Sequence, residues 1–196
     1  QSLYQGTAYV SLQHQGPVLL TVTLDSPLAE TFFQEWSTAG GIWLESDAPA
    51  SEVLAHLRSL IHARVAGDVT VLFRYYDPRI AILWLADLPP TERDRLMGPV
   101  RLIRLPGVVI EQEHPDQPVG QYAEQAWLVL TVQTLDRLNL AQQKSFAQHL
   151  IEHCLKYFPE FFHGFDPAQQ LEWAIDCQEQ AVRNGYSTFG EVLRWA

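Results

Sequence analysis

Arginine, aspartate and aromatic residues crowd one short stretch, VTVLFRYYDPRI, residues 69–80. Phe73, Tyr75 and Tyr76 surround Arg74, and Asp77-Pro78-Arg79 follows at once. Such a set suits an active site, a binding corner or a structural joint. Along a strand, Val69, Val71, Phe73 and Tyr75 share one face, and Thr70, Leu72, Arg74 and Tyr76 the other. The first set suits a core. A buried Arg74 guanidinium needs a carboxylate, because an unpaired buried charge is costly. Asp77, Asp47 and Glu45 are the candidates if GIWLES and VTVLFRYY are neighbouring strands. Asp77-Pro78 also reads as a helix cap followed by proline at the first helical position, which makes the stretch a strand-to-helix joint.

Other chemistry has weaker signals. His149 and His153 lie four apart on a predicted helix and so share a face. Zinc hydrolases use that spacing, but in H-E-x-x-H the glutamate follows the first histidine, whereas here the order is HLIEH. Cys154 points about 100° away from His153 on a helix. A small hydrolase built on His149, His153 or Cys154 is thus a rival reading with an incomplete ligand or nucleophile set. There is no G-x-S-x-G elbow, no G-x-x-x-x-G-K-[ST] and no G-x-G-x-x-G, so the usual serine elbow and phosphate cradles are absent. Cys154 and Cys177 read as two small buried hydrophobes, not a disulfide framework, which fits a reducing compartment.

The elements that must position these groups follow from periodicity and punctuation. GPVLLTVTL, residues 16–24, reads as a buried strand. Asp25-Ser26-Pro27 starts a helix carrying Leu28, Phe32 and Trp36, ended by Gly40-Gly41. GIWLES is a second strand. Asp47 or a neighbour caps a helix through ASEVLAHLRSLIHA, whose stripe is Val53, Leu54, Leu57, Leu60 and Ile61. Gly67-Asp68 is a turn, VTVLFRYY a third strand, and RIAILWLADL a short buried helix or, being apolar all round, a strand. PPTERDRLMG holds another short helix. RLIRL and GVVIEQEH form a hairpin around Pro106-Gly107. Strands separated by helices predict some parallel pairing. The polar stretch 114–125 marks a boundary. Beyond it come a long helix stopped by Pro159 and a helix opened by Asp166-Pro167 with Leu171, Ala174, Ile175 and Val182 inward. A last helix is capped by Thr188-x-x-Glu191. The prediction is an α/β (α+β) fold: residues 1–125 form a mixed-sheet lobe with flanking helices, and residues 126–196 a smaller all-helical lobe.

The chain has 196 residues, 47% hydrophobic and 11% aromatic with six Trp, enough for a large core. Its formal net charge is -10, and Lys144 and Lys156 are its only lysines. That sign and the lack of a basic run argue against nucleic acid and anionic membrane as partners. No apolar run approaches the roughly 20 residues of a membrane span, and no secretory signal opens the chain.

SPLAETFFQEW, GIWLESDAP, EVLAHLRSLIHARV, VLFRYYDPRI and MGPV occur in order at natural spacing. Together they resemble the type VI secretion effector adaptor (chaperone) family, catalogued as domain of unknown function 4123. The resemblance covers roughly residues 17–100, and the tail with YFPE and an N-G-Y turn is also similar. It implies a non-enzymatic, cytoplasmic adaptor of Gram-negative bacteria that binds a cognate toxic effector and helps load it onto the VgrG spike protein. It implies no cofactor, no metal and no catalytic residue. The motif residues here are Trp43, Asp47, Arg74, Tyr76, Asp77 and Arg79, fold-defining first and candidate partner contacts second. The family starts with a further strand and helix, so an incomplete N-terminal start is expected. The stretch after DPRI is more apolar than in the family. A toxin-neutralising, immunity-type binding protein is the other binding-class reading.

Overall fold

Gly67 and Asp68 both take positive φ, 79° and 59°, the left-handed geometry that glycine and aspartate tolerate best. They fold back two strands, β2 (His62–Val65) and β3 (Val69–Leu72), which pair antiparallel with Val65 opposite Val69. Gly107, at φ 71°, does the same for β4 (Leu102–Leu105) and β5 (Val108–Glu111). β1 (Trp43–Glu45) adds antiparallel to β4, giving a sheet in the order β1-β4-β5. These observations come from a computed structural model, which describes residues 1–36, 41–86, 88–186 and 188–195.

Helices frame the strands. α1 (Pro27–Thr31) is capped by Ser26, whose hydroxyl accepts from the Ala29 N–H, and runs on as a π-type turn over Phe32–Trp36. α2 (Ala50–Ser59), α3 (Pro78–Leu85) and α4 (Pro90–Met97) follow. α5 (Val132–Tyr157), α6 (Pro167–Arg183) and α7 (Phe189–Trp195) complete the described helices. The fold is mixed α/β, as the pattern predicts.

Several local expectations need correction. Residues 16–24 are no strand among the described residues. Only Val18 makes a bridge, to Ser2, and Val18, Leu20 and Leu24 are 56%, 58% and 73% exposed. The α2 helix stops at Ser59, and His62–Val65 is a strand; the Gly67-Asp68 turn demands a partner strand just before it. β3 ends at Leu72, so Phe73–Tyr76 lie beyond the ladder. β1 pairs β4 and not β3, so GIWLES and VTVLFRYY are not neighbours. All named strand pairs are antiparallel, and the parallel element is one bridge, Arg64 to Val129. There the Arg64 N–H donates to the Leu128 carbonyl at 2.8 Å and the Leu130 N–H to the Arg64 carbonyl at 2.9 Å. That docking draws residues 126–130 onto β2. The chain divides into two units, one of residues 1–135 and one from Asp136 onward.

In the first unit α2 presents Val53, Leu54 and Leu57 to a core with Ile61, Tyr75, Trp84, Met97, Val100 and Ile103. Each such side chain contributes roughly 1.5–3 kcal/mol on burial. His56 is 1% exposed within it. Its Nε2–H donates to the Leu96 carbonyl at 2.8 Å, while Nδ1 accepts from the Gly120 N–H at 2.9 Å. A carbonyl only accepts and an amide only donates, so the ring is neutral with its proton on Nε2. Gly98, at φ 56°, sits where a β-carbon would run into that ring. Asp94 is also fully buried; it accepts from the Glu113 and His114 N–H groups at 3.2 and 2.8 Å and pairs with His114 Nδ1 at 2.9 Å.

In the second unit Ala147, Leu150, Ile151 and Cys154 form the inner face of α5, packed with Phe162, Ala174, Cys177, Ala181 and Val192. Asp166 caps α6 in a reciprocal box with Gln169, and Thr188 and Glu191 do the same at α7. Val182, predicted inward, is 53% exposed, because the α6 face that packs runs through Ala174, Cys177 and Ala181.

Candidate functional site

The strand-to-helix joint is built as its sequence predicts. Asp77 caps α3, its Oδ1 accepting from the Arg79 N–H at 3.0 Å, and Pro78 fills the first helical position. Arg79 folds back on its own cap: Nε donates to Oδ1 at 2.9 Å and an Nη to Oδ2 at 2.7 Å. Hydrogen bonding from the Arg79 side chain holds the Asp77 carboxyl below its usual range. Tyr75 is buried and donates its hydroxyl to the Leu57 carbonyl at 2.8 Å, which ties the joint to α2. Phe73 packs edge-on against Trp84 of α3, ring centres 4.9 Å apart.

The next layer sits on one side of this joint. Tyr76 and Tyr4 share a hydrogen bond between hydroxyls, 2.5 Å apart. Burial, and then the Tyr76 hydroxyl, push the Tyr4 phenol well up, so it is a neutral partner there and no base. Arg74 is exposed, with its guanidinium carbon 6.0 Å from the centre of the Tyr76 ring. The condition under which Arg74 would need a carboxylate, burial, is therefore not met: the chain leaves the strand at Leu72, and the side chain is open to solvent. Trp43 packs at a tilt against Phe33 and Phe32, ring centres 4.8 and 5.6 Å away. Its indole Nε1–H is buried and has no acceptor among the described residues.

Phe32, Trp43, Arg74, Tyr76, Asp77 and Arg79 are among the residues that line a groove of about 490 Å³. Its lining comes from residues 15–20 and Val22, from Gly41–Leu44 and from Arg74–Arg79. Leu57 and Tyr75 lie beneath. Leu20, Thr21 and Val22 have no backbone hydrogen bond among the described residues. Five of the six motif residues, Trp43, Arg74, Tyr76, Asp77 and Arg79, thus converge on one opening. Asp47 does not. Its side chain is 92% exposed and lies 3.7 Å from Arg101, and α2 is capped at Pro49 without it. Reasoning from sequence missed Tyr4 and the lining from residues 15–20 and Val22. Gly16 is the available signal, since a β-carbon there would strike the Tyr4 ring.

The rival constellation is dispersed. His149 is exposed, His153 packs at a tilt on Tyr157 with ring centres 4.6 Å apart, and Cys154 is buried in the core of the second unit. Burial raises the Cys154 thiol, and burial followed by Cys154 and Asp176 raises Cys177. Both are free thiols. No group of three or more metal-ligating side chains forms among the described residues. No described helix is long and apolar enough to cross a membrane.

Residues 1–95 match the family described as Domain of unknown function (DUF4123). No curated protein and no solved structure matches the chain. The DUF4123 match spans the whole groove lining and all six motif residues. The region from β4 onward, including the helical unit, lies outside it.

Proposed function

We propose that this chain is a non-enzymatic adaptor of the type VI secretion machinery. It binds a cognate toxic effector in the cytoplasm of a Gram-negative bacterium and helps load it onto the VgrG spike protein. The observation that carries the reading is the convergence of Trp43, Arg74, Tyr76, Asp77 and Arg79 on one open groove. Those residues are the ones through which the sequence resembles the adaptor family. The opening offers what a protein segment needs: aromatic faces, aliphatic walls, unpaired backbone groups and an exposed cation. The groups with shifted pKa values there move away from neutrality, Asp77 down and Tyr4 and Tyr75 up, which suits holding more than proton transfer.

The test is co-purification of the chain with the effector encoded beside it and with the spike tip. Retention of both supports the adaptor. Retention of the effector with loss of toxicity, but no contact with the spike, would instead make the chain a neutralising inhibitor. Binding to neither sinks the proposal.

A further inference from the structure

Residues 113–125 contain Pro115, Pro118 and Gly120 and belong to no helix or strand. None of them is buried, and none makes a backbone-to-backbone hydrogen bond among the described residues. Side chains hold this strap instead. At its start, buried Asp94 accepts from the Glu113 and His114 N–H groups. In its middle, the Gly120 N–H donates to His56 Nδ1 at 2.9 Å. Further on, the Tyr122 ring stacks on His62, ring centres 4.8 Å apart, and its hydroxyl accepts from the Ala8 N–H at 3.0 Å. Just past it, the Ala126 carbonyl accepts from Arg64 Nε at 3.0 Å. The approach at Gly120 is close, since a β-carbon there would meet the Ser59 hydroxyl and the His56 ring. A segment with so few buried contacts opens at lower cost than the core beneath it.

These holds answer acid differently. A proton on His114 strengthens its bond to the Asp94 carboxylate, so that end stays pinned. The His62 ring keeps Tyr122 and Tyr9 against it in either state, and the Ala123 carbonyl favours its charged form. His56 is the exception. Its Nε2–H already donates to the Leu96 carbonyl at 2.8 Å, so a second proton enters at Nδ1. An N–H would then face the Gly120 N–H, and the bond is lost. The charged or titratable side chains on the surrounding elements are Glu52 and Arg58 of α2, Glu92, Arg93, Asp94 and Arg95 of α4, and Glu113, His114, Asp116, Tyr122 and Glu124 of the strap. Arg93 and Asp94 hold the start of the strap, Arg58 donates to the Ser2 carbonyl, and Arg95 lies over Trp127. None of them hydrogen-bonds the His56 ring among the described residues.

We propose that residues 113–125 form a proton-released latch: a proton taken from solvent at His56 Nδ1 breaks the Gly120 bond and lifts the middle of the strap off α2, while its Asp94 end and residues 126–130 stay docked. With the strap closed, burial holds the His56 pKa down. With it lifted, water reaches the ring and the pKa returns toward about 6.5. Acid therefore favours the lifted form as pH falls below about 6.5. The latch does not rest on the secretion reading.

Amide exchange of the full chain, followed by NMR and normalised to the intrinsic rate at each pH, reads the opening. Protection of the Gly120 amide should fall between pH 7.5 and pH 5.5 by several-fold, up to about tenfold. That of the His114 amide, bonded to Asp94, should hold. Local opening exposes little surface, so urea below the unfolding transition should leave Gly120 exchange unchanged while it speeds exchange at Leu57 in α2. Gly120→Ala, which drives a β-carbon into Ser59 and His56, should leave the amide at that position unprotected at both pH values, with Leu57 still protected. His62→Phe keeps a ring against Tyr122 without a titrating group, and the acid response at Gly120 should survive it. Gly120 protection that ignores pH overturns the latch, and so does protection that follows Leu57 in both pH and urea dependence. Full protection in Gly120→Ala, or loss of the acid response in His62→Phe, overturns the assignment to His56. No secretion component enters the test, so failure here leaves the adaptor proposal standing.

Discussion

Arg74 is a cation already open to solvent, so its removal has little to disturb in the fold. Arg74→Met should change the unfolding free energy by no more than about 0.5 kcal/mol in urea titration. Effector retention should still fall, because the exposed charge in the groove lining is gone. A loss of several kcal/mol would show that the joint needs the guanidinium after all. The Tyr4–Tyr76 pair behaves differently. Deleting one hydroxyl leaves the other without its partner in a part-buried site. Tyr4→Phe and Tyr76→Phe should each cost about 1–2 kcal/mol, and the double variant less than their sum. A double-mutant cycle in urea measures that coupling, and strict additivity would mean the two hydroxyls are independent.

At the scale of elements, turns and caps hold the joints in register. Gly98 ends α4 at φ 56° and ψ -119°, with no room for a β-carbon beside His56. Gly98→Ala should lower stability by at least about 2 kcal/mol, read as a fall in the thermal midpoint. Asp166→Ala removes the α6 capping box and should cost about 1 kcal/mol by the same measurement. Caps of this kind were legible in the sequence: Asp77-Pro78, Asp166-Pro167 and Thr188-x-x-Glu191 each encode their own local geometry. The Pro106-Gly107 hairpin was legible for the same reason. What failed was pairing across distance. β1 meets β4 through residues about sixty positions apart, Trp43 opposite Arg104, and no local pattern records that. Residues 16–24 are rich in strand formers but pair only through the single bridge of Val18 to Ser2, and propensity alone does not make a ladder. The groove was half legible. Arg74 to Arg79 advertise themselves, while Tyr4, which supports the lining through its bond to Tyr76, is placed only because the chain folds its first residues against them.

For the whole molecule, buried titrating groups set the acid limit. Burial holds His56 and His62 below the ordinary histidine pKa. The unfolded chain therefore takes up these protons first, and stability falls as pH drops below about 6.5 toward the folded values. Asp94 adds a lower step. Burial alone would raise it, but the His114 side chain and the N–H groups of His114 and Glu113 outweigh that, leaving its pKa depressed. Its contribution is present above about pH 4 and is lost as pH falls through the folded value. Urea titrations from pH 7 to pH 3 should show both declines, and Asp94→Asn should shrink the lower one, leaving the share that Asp77 supplies, without touching the upper one. If the upper decline also vanished in that variant, the histidine assignment would be wrong. One further consequence concerns residues 19–24, LLTVTL, which belong to no helix or strand and are mostly exposed, with no charge and no proline. That is the composition from which intermolecular cross-β stacks nucleate. Kept without an occupant at high concentration, the chain should precipitate through this stretch, and a lysine at Leu20 or Leu24 should act as a gatekeeper.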